Sequence, residues 1–381
     1  MTVHERIGRK IMGQPGSRWQ IPTPALVLDL DAFQRNVARM AEYCAAHGIG
    51  LRPHAKTHKS AEIAKRQMAA GAVGVCCAKL AEAEALAARG IGKILLTSPL
   101  ATPGAVERAV DLNDVMEELI LTVDHPDSVS ELNAAALGAG KPFRVLIDLD
   151  PDLHRTGIGL NQGFDALAAQ IKVAEGLNFL GIQCYAGHLM HEHDKDKRRE
   201  KSLEILEMVR EAKTRAEAIG LECTVLTGGG TGTYDIDHEA NVLTDLQGGS
   251  YIFMDREYAE VPTDDGHFPF EPALFVQTTV ISVNSPGLVT TDAGFKSFAT
   301  DADAPLIHDG APDGAGYFFF GDEQGGVLFA NAEKDHLTRG AALTCVVPHC
   351  DPTVNLYDWY HVVQGDALVD LWPVDARGAS Q

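Results

Sequence analysis

Residues 74–98, GVCCAKLAEAEALAARGIGKILLTS, carry the reading that decides the fold. A short apolar run, GVCCAK (74–79), passes into a stretch of helical spacing that ends at Gly90, and a second apolar run, KILLTS (93–98), follows at once. Short apolar runs alternating with helical patterns mark strand–helix units around a parallel sheet. The unit recurs outward in both directions, at ALVLDL (25–30), GLRPHA (50–55), LILTVD (119–124), RVLIDL (144–149), FLGIQCYAGH (179–188) and TVLTGGG (224–230). With the quoted pair these make eight runs, the number a closed (β/α)8 TIM-type barrel requires. The stretch AFQRNVARMAEYCAAHG (32–48) is helical, with Asp31 as its candidate N-cap.

Past residue 255 the texture changes. Segments such as ALFVQTTVISV, LVTTDAG, GYFFFGDE and ALTCVVPHC are β-rich, separated by Gly, Pro and Asp, and leave no room for helices. The expected organisation is a barrel over 22–255 and a C-terminal all-β domain over 256–381, with residues 1–21 as an irregular lead-in.

Composition excludes several function classes. The 32 Lys and Arg against 53 Asp and Glu give a net charge of −21, which repels nucleic-acid phosphates and anionic membrane surfaces. No apolar window is long enough to span a bilayer, and the charged, Gly- and Pro-bearing start lacks a signal-peptide core, so the expected location is cytoplasmic. Seven scattered cysteines, mostly inside apolar runs, read as buried reduced thiols.

In a parallel barrel, functional side chains come from the C-terminal ends of strands and the loops after them. There the chain places RPHAKTHKS (52–60), in which Lys56 is flanked by Arg52, His54, His58 and Lys59. A lysine desolvated among cations has a depressed pKa, as a Schiff-base lysine needs. Arg155 follows the sixth run; Tyr185, His188, His191 and His193 follow the seventh. TGGGTGTYD (227–235) and LQGGSY (246–251) are glycine-rich turns after the last run, where backbone N–H groups can hold a phosphate. In the β domain, His349 and Asp351 lie two apart, so in extended chain both point to one side and can grip one metal ion, while Cys350 points away. An imidazole with a hard carboxylate suits Mn²⁺, Mg²⁺ or Zn²⁺.

Seven segments together resemble one family. TPALVLDLDAFQRN (23–36), RPHAKTHKS, VCCAKLAEAEA (75–85), TGGGTG (227–232), LQGGSYIFMD (246–255), DAGFKS (292–297) and PHCDPTVNLYDWY (348–360) are similar, in order, to motifs of the fold-type III pyridoxal 5'-phosphate (PLP) enzymes. The resemblance is to their D-threonine aldolase, 3-hydroxy-D-aspartate aldolase and D-serine dehydratase group, which shares the alanine-racemase barrel. It implies Lys56 as the Schiff-base lysine, with Lys59 as its decoy, Arg155 facing the cofactor's ring oxygen and Tyr185 lying against the ring. It further implies Thr227, Gly229, Gly230, Thr231, Gly249, Ser250 and Tyr251 around the phosphate and neighbouring ring. Gln247 takes the place of an arginine that faces the pyridine nitrogen in alanine racemase, and a neutral partner there would leave that nitrogen unprotonated, a weaker electron sink.

The metal pair His349 and Asp351, and His191 near the substrate's β-hydroxyl, match the aldolase side, since dehydratases more often pair His with Cys. Gln324, where the aldolases carry histidine, and His188, where dehydratases often read Gly-His, are departures. The implied reaction is PLP- and metal-dependent retro-aldol cleavage of D-3-hydroxy amino acids to glycine and an aldehyde; the alternative is dehydration of D-serine or 3-hydroxy-D-aspartate to a 2-oxo acid and ammonia. A racemase would need no metal pair, and a non-catalytic carrier of this barrel type lacks a second domain. The resemblance implies a small amino-acid substrate and a homodimer.

Overall fold

The computed structural model describes residues 3–263 and 266–381; residues 1, 2, 264 and 265 lie outside the described residues, the first two within the expected lead-in. Eight parallel strands follow the chain: Gly50–Leu51, Val75–Cys77, Lys93–Leu96, Glu118–Val123, Phe143–Asp148, Leu177–Cys184, Val225–Gly228 and Asp245–Leu246. From the second onward each pairs with the next, and the eighth returns to the first at Gly50 opposite Asp245. The remaining seam closes where Val73 and Cys76 donate to the carbonyls of Leu51 and Pro53 at 2.8 and 2.9 Å. The barrel expected from the sequence is present.

Helices cover the outside of the barrel, among them Leu80–Ala87, Pro103–Val115, Pro126–Ala139 and Lys195–Ala218. Their ends obey local chemistry: the Thr102 hydroxyl accepts from the Ala105 N–H ahead of Pro103, which occupies a first-turn site where no N–H is needed. One face of each strand packs against the helices through Val75, Ile94, Leu119 and Val145. The opposite face fills the interior with Cys76, Leu95, Ile120 and Leu146. Toward the mouth that interior turns polar, with Asp148, Gln183, Thr227, Asp245 and Gln247 buried.

One of the eight expected runs is not in the barrel. ALVLDL forms the strand Ala25–Asp29, which pairs antiparallel with Leu274–Ser285 and parallel with Trp359–Gln364 in a nine-stranded mixed sheet. A strand buried on both faces reads as a continuous apolar run in either sheet, so the run itself could not choose. Its place in the barrel is taken by Asp245–Leu246, too short to register as a run. The helix Leu30–His47 that follows the first strand is capped by Asp29, whose carboxylate accepts from the Ala32 N–H at 2.9 Å; Asp31 lies in its first turn.

The β domain also holds short helices, Arg256–Ala259 and Cys350–Val354. The lead-in is not irregular either: Val3–Ile11 is a helix that packs Gly8 onto Leu371 of the strand Ala367–Pro373. All seven cysteines are free and six are buried, as expected. No helix among the described residues is long and apolar enough to cross a membrane.

Candidate active site

A cavity of about 550 Å³ opens at the C-terminal ends of the barrel strands, lined by Lys56, Arg155, Tyr185 and Gln247 together with His54 and Lys79. Lys56 lies on the turn Ala55–Thr57, whose start is fixed by His54: the ring Nδ1 accepts from the Lys56 N–H at 3.4 Å. The neighbouring Lys59 is occupied by Glu82 at 2.5 Å. His58 is fully buried.

The lysine's electrostatics differ from expectation. Burial pulls the Lys56 pKa down, but the Asp351 carboxylate, in direct contact with its ammonium, outweighs that pull and raises it above the ordinary range. Conversely, Lys56 and His349 overcome the upward push of burial and hold Asp351 down at about 2. A cluster of like charges would depress a lysine; one carboxylate arriving from the other domain reverses the sign.

Asp351 reaches the barrel from the helix Cys350–Val354, so the expectation of an extended His-x-Asp pair is corrected. Asp255 receives the Cys350 N–H at 2.8 Å, and Pro352 in the first turn supplies helical φ without needing a donor, so the chain coils after His349. Asp351 Oδ1 is buried without a hydrogen-bond partner among the described residues. His349 Nδ1 is 2.7 Å from Asp301 Oδ2, an outer carboxylate of the kind that fixes the tautomer of a metal-binding imidazole and leaves Nε2 as the free ligand atom. An orphaned carboxylate oxygen and an oriented imidazole fit a divalent cation. No set of three His, Cys, Asp or Glu side chains among the described residues forms a metal centre, so further coordination positions would fall to substrate and water. His191 packs against Tyr258 with ring centroids 4.3 Å apart and the planes tilted by 45°, and burial, then His349 and His193, lower its pKa to about 4. His188 is exposed.

The glycine-rich turns border the same cavity. A Cβ on Gly249 would strike the Thr57 hydroxyl at 2.5 Å, and one on Gly230 would meet the Tyr185 ring at 3.5 Å. Gly229 has φ +63°, and a side chain there would collide with Asp237, so only glycine fits. The backbone N–H groups of Gly229, Gly230, Thr231 and Gly249 find no acceptor among the described residues. Unpaired N–H groups on two adjoining turns are donors of the kind that hold an anion and fit a phosphate. The Arg155 guanidinium lies 5.3 Å from the Tyr185 ring centroid and makes no ion pair among the described residues, leaving it available to an oxyanion.

Two predicted residues have their hydroxyls engaged within the protein. Tyr251 is wholly buried in the core, its hydroxyl receiving Gln67 Nε2 at 3.0 Å; only its N–H serves the turn, donating to Thr231 Oγ1 at 3.1 Å. Thr227 spends its hydroxyl proton on Asp245 at 2.6 Å. Residues missed from the sequence include Asp301, Gln183 and Asp148. For the last two there was a signal, a polar residue interrupting an apolar barrel run (GIQC, LIDL).

A closed strand–helix barrel capped by a β domain, with a lysine in a cavity between an anion site and a free arginine, is the architecture of the pyridoxal-phosphate barrel enzymes. The comparisons agree: residues 28–257 match the family "Alanine racemase, N-terminal domain", and 273–363 match "Putative serine dehydratase domain". A 3-hydroxy-D-aspartate aldolase of Paracoccus denitrificans (strain Pd 1222) is 35% identical over 98% of this chain and 96% of its own. A D-threonine aldolase of an Arthrobacter species is 37% identical over 97% and 96%. The crystal structure of D-threonine aldolase from Filomicrobium marinum superposes with a TM-score of 0.89 at 34% identity, covering 95% of this chain and 97% of that one. Dehydratases of D-3-hydroxyaspartate and D-serine also match, at lower identity. The chain belongs to the alanine-racemase-type family of PLP enzymes, in the group of D-threonine and 3-hydroxy-D-aspartate aldolases, and is a lyase.

Proposed function

We propose that this enzyme cleaves the Cα–Cβ bond of D-3-hydroxy amino acids, D-threonine-like in form, in a retro-aldol reaction dependent on pyridoxal phosphate and a divalent metal, releasing an aldehyde and glycine. The observation that carries the reading is the meeting of Lys56 from the barrel with Asp351 from the β domain, beside His349 and His191. Full-length identity of 34–37% to aldolases supports it further.

Lys56 is the covalent attachment point. The N–H groups of Gly229, Gly230, Thr231 and Gly249, with the Ser250 hydroxyl, would hold the phosphate, while Arg155, Tyr185 and Gln247 would meet the ring. Pyridoxal phosphate, when bound, supplies the electron sink for the charge left on Cα. His349 and Asp351 would hold the metal, Mn²⁺ ahead of Mg²⁺ or Zn²⁺, and when bound it would supply Lewis acidity to the β-hydroxyl. His191, neutral above about pH 4, accepts the hydroxyl proton. The reading includes a homodimer, supported by Phe295, Phe320 and Leu328, which the β domain leaves exposed, and a cytoplasmic location, which the seven free cysteines favour.

The deciding experiment is product analysis after incubating PLP- and Mn²⁺-loaded protein with D-threonine and, separately, with D-3-hydroxyaspartate. Glycine with the matching aldehyde is expected; ammonia with a 2-oxo acid would make the enzyme a dehydratase and overturn the proposal.

A further inference from the structure

Gln247 stands in the cavity wall, and its amide can be oriented without reference to any ligand. The two ends of an amide look alike, so only the surrounding hydrogen bonds tell oxygen from nitrogen. The chain of bonds starts at Gln183. Its Nε2 lies 3.0 Å from the Thr97 carbonyl oxygen and 2.9 Å from Asp148 Oδ1. A carbonyl can only accept, so this end of Gln183 is the NH₂ whatever the protonation of Asp148. Gln183 Oε1 therefore faces Gln247 as an acceptor, 3.2 Å away.

Thr227 gives the same answer independently. Its hydroxyl lies 2.6 Å from Asp245 Oδ1, a carboxylate that Arg52 also contacts at 3.3 Å, so the Thr227 proton is committed to Asp245. What Thr227 Oγ1 offers Gln247, at 3.2 Å, is a lone pair. Both hydrogens of the Gln247 NH₂ are thus spent on Gln183 and Thr227, and a flipped amide would set its oxygen against two acceptors. Gln247 Oε1 remains, with no partner among the described residues, at the cavity wall.

We infer that Gln247 presents a hydrogen-bond acceptor to the cofactor and so holds the pyridine nitrogen of bound pyridoxal phosphate in its protonated form. Of that molecule's polar atoms, the phosphate oxygens and the ring oxygen suit the glycine turns and Arg155, and the Schiff-base nitrogen is tied to Lys56; the ring nitrogen is left to donate a proton to an acceptor in the wall. Neutral glutamine here does not weaken the electron sink, as its lack of charge suggests, because the barrel network has turned its carbonyl outward. A positively charged ring withdraws electrons from Cα more strongly, which favours breaking the Cα–Cβ bond. The inference rests on the pyridoxal-phosphate reading of the cavity.

The test reads the nitrogen directly. The protein is loaded with pyridoxal phosphate carrying nitrogen-15 in the ring, and the ring resonance is recorded with the cofactor bound, alongside Q247E and Q247R. A pyridinium resonance is expected in the wild type and in Q247E, which keeps an acceptor, with a downfield move to the free-pyridine position in Q247R, which can only donate. A free-pyridine resonance in the wild-type holoenzyme overturns the inference and leaves the cofactor assignment standing. Failure of the wild type to take up the cofactor at all overturns both. The wild-type spectrum decides even where a variant does not fold.

Discussion

Asp351 has the Lys56 ammonium on one oxygen and no hydrogen-bond partner among the described residues on the other, which is buried, and the two roles separate by mutation. Lys56→Ala should abolish the visible absorption of bound cofactor. Asp351→Ala should keep that band and lower cleavage on the order of a hundredfold or more, as loss of several kcal/mol of charge stabilisation implies. Full activity in Asp351→Ala would refute the metal role. Asp301 pairs with the imidazole, so Asp301→Ala should weaken Mn²⁺ binding about 10- to 100-fold in a metal titration of the cofactor-loaded protein. An unchanged affinity would mean that Asp301 does not orient the imidazole for metal binding. These roles were partly legible in sequence: His349 and Asp351 stand out by type and spacing, whereas Asp301 lies in a loop with nothing to distinguish it from other surface acids.

At the scale of elements, the short helices of the β domain do the positioning. Asp255 is fully buried and accepts two backbone donors, Tyr258 N–H at 3.1 Å and Cys350 N–H at 2.8 Å, so one carboxylate caps Arg256–Ala259 and pins the start of the helix that carries Asp351. Asp255→Ala orphans both donors and should cost about 1–3 kcal/mol, read as a fall in Tm; a Tm unchanged within error would show that water replaces the carboxylate without loss. The alternation of strands and helices around the barrel was readable because side-chain period is a local property. The first strand was misassigned and the two-residue eighth strand missed because pairing partners and very short strands leave no periodic trace.

For the molecule as a whole, acid should be more damaging than the charge of −21 suggests. His54 and His58 are buried at the junction of barrel and β domain, where Tyr360 donates to the His58 carbonyl at 2.6 Å, and desolvation lowers both rings to about 3. In the unfolded chain they titrate near 6.5. Between those values the unfolded state holds protons that the folded state refuses, so stability is fully present above about pH 6.5 and falls as pH drops toward 3. Thermal melts from pH 8 to 5 should show a declining Tm, and His58→Gln should flatten the decline; an equal slope in that variant would remove His58 from the account.

What the sequence by itself determined is the local grammar and the chemistry in stock: apolar periodicity for a βα barrel, a β-rich tail, glycines where N–H groups must be bare, and Lys56, Arg155, His191, His349 and Asp351 as reactive side chains. The tertiary structure alone decided which sheet the run at 25–30 joined, that Asp351 meets a lysine 295 residues away, and that Gln247 turns its oxygen toward the cavity. Periodicity and residue type are written in neighbouring positions. The sign of a pKa shift and the facing of an amide are set by groups that only packing brings within hydrogen-bond reach.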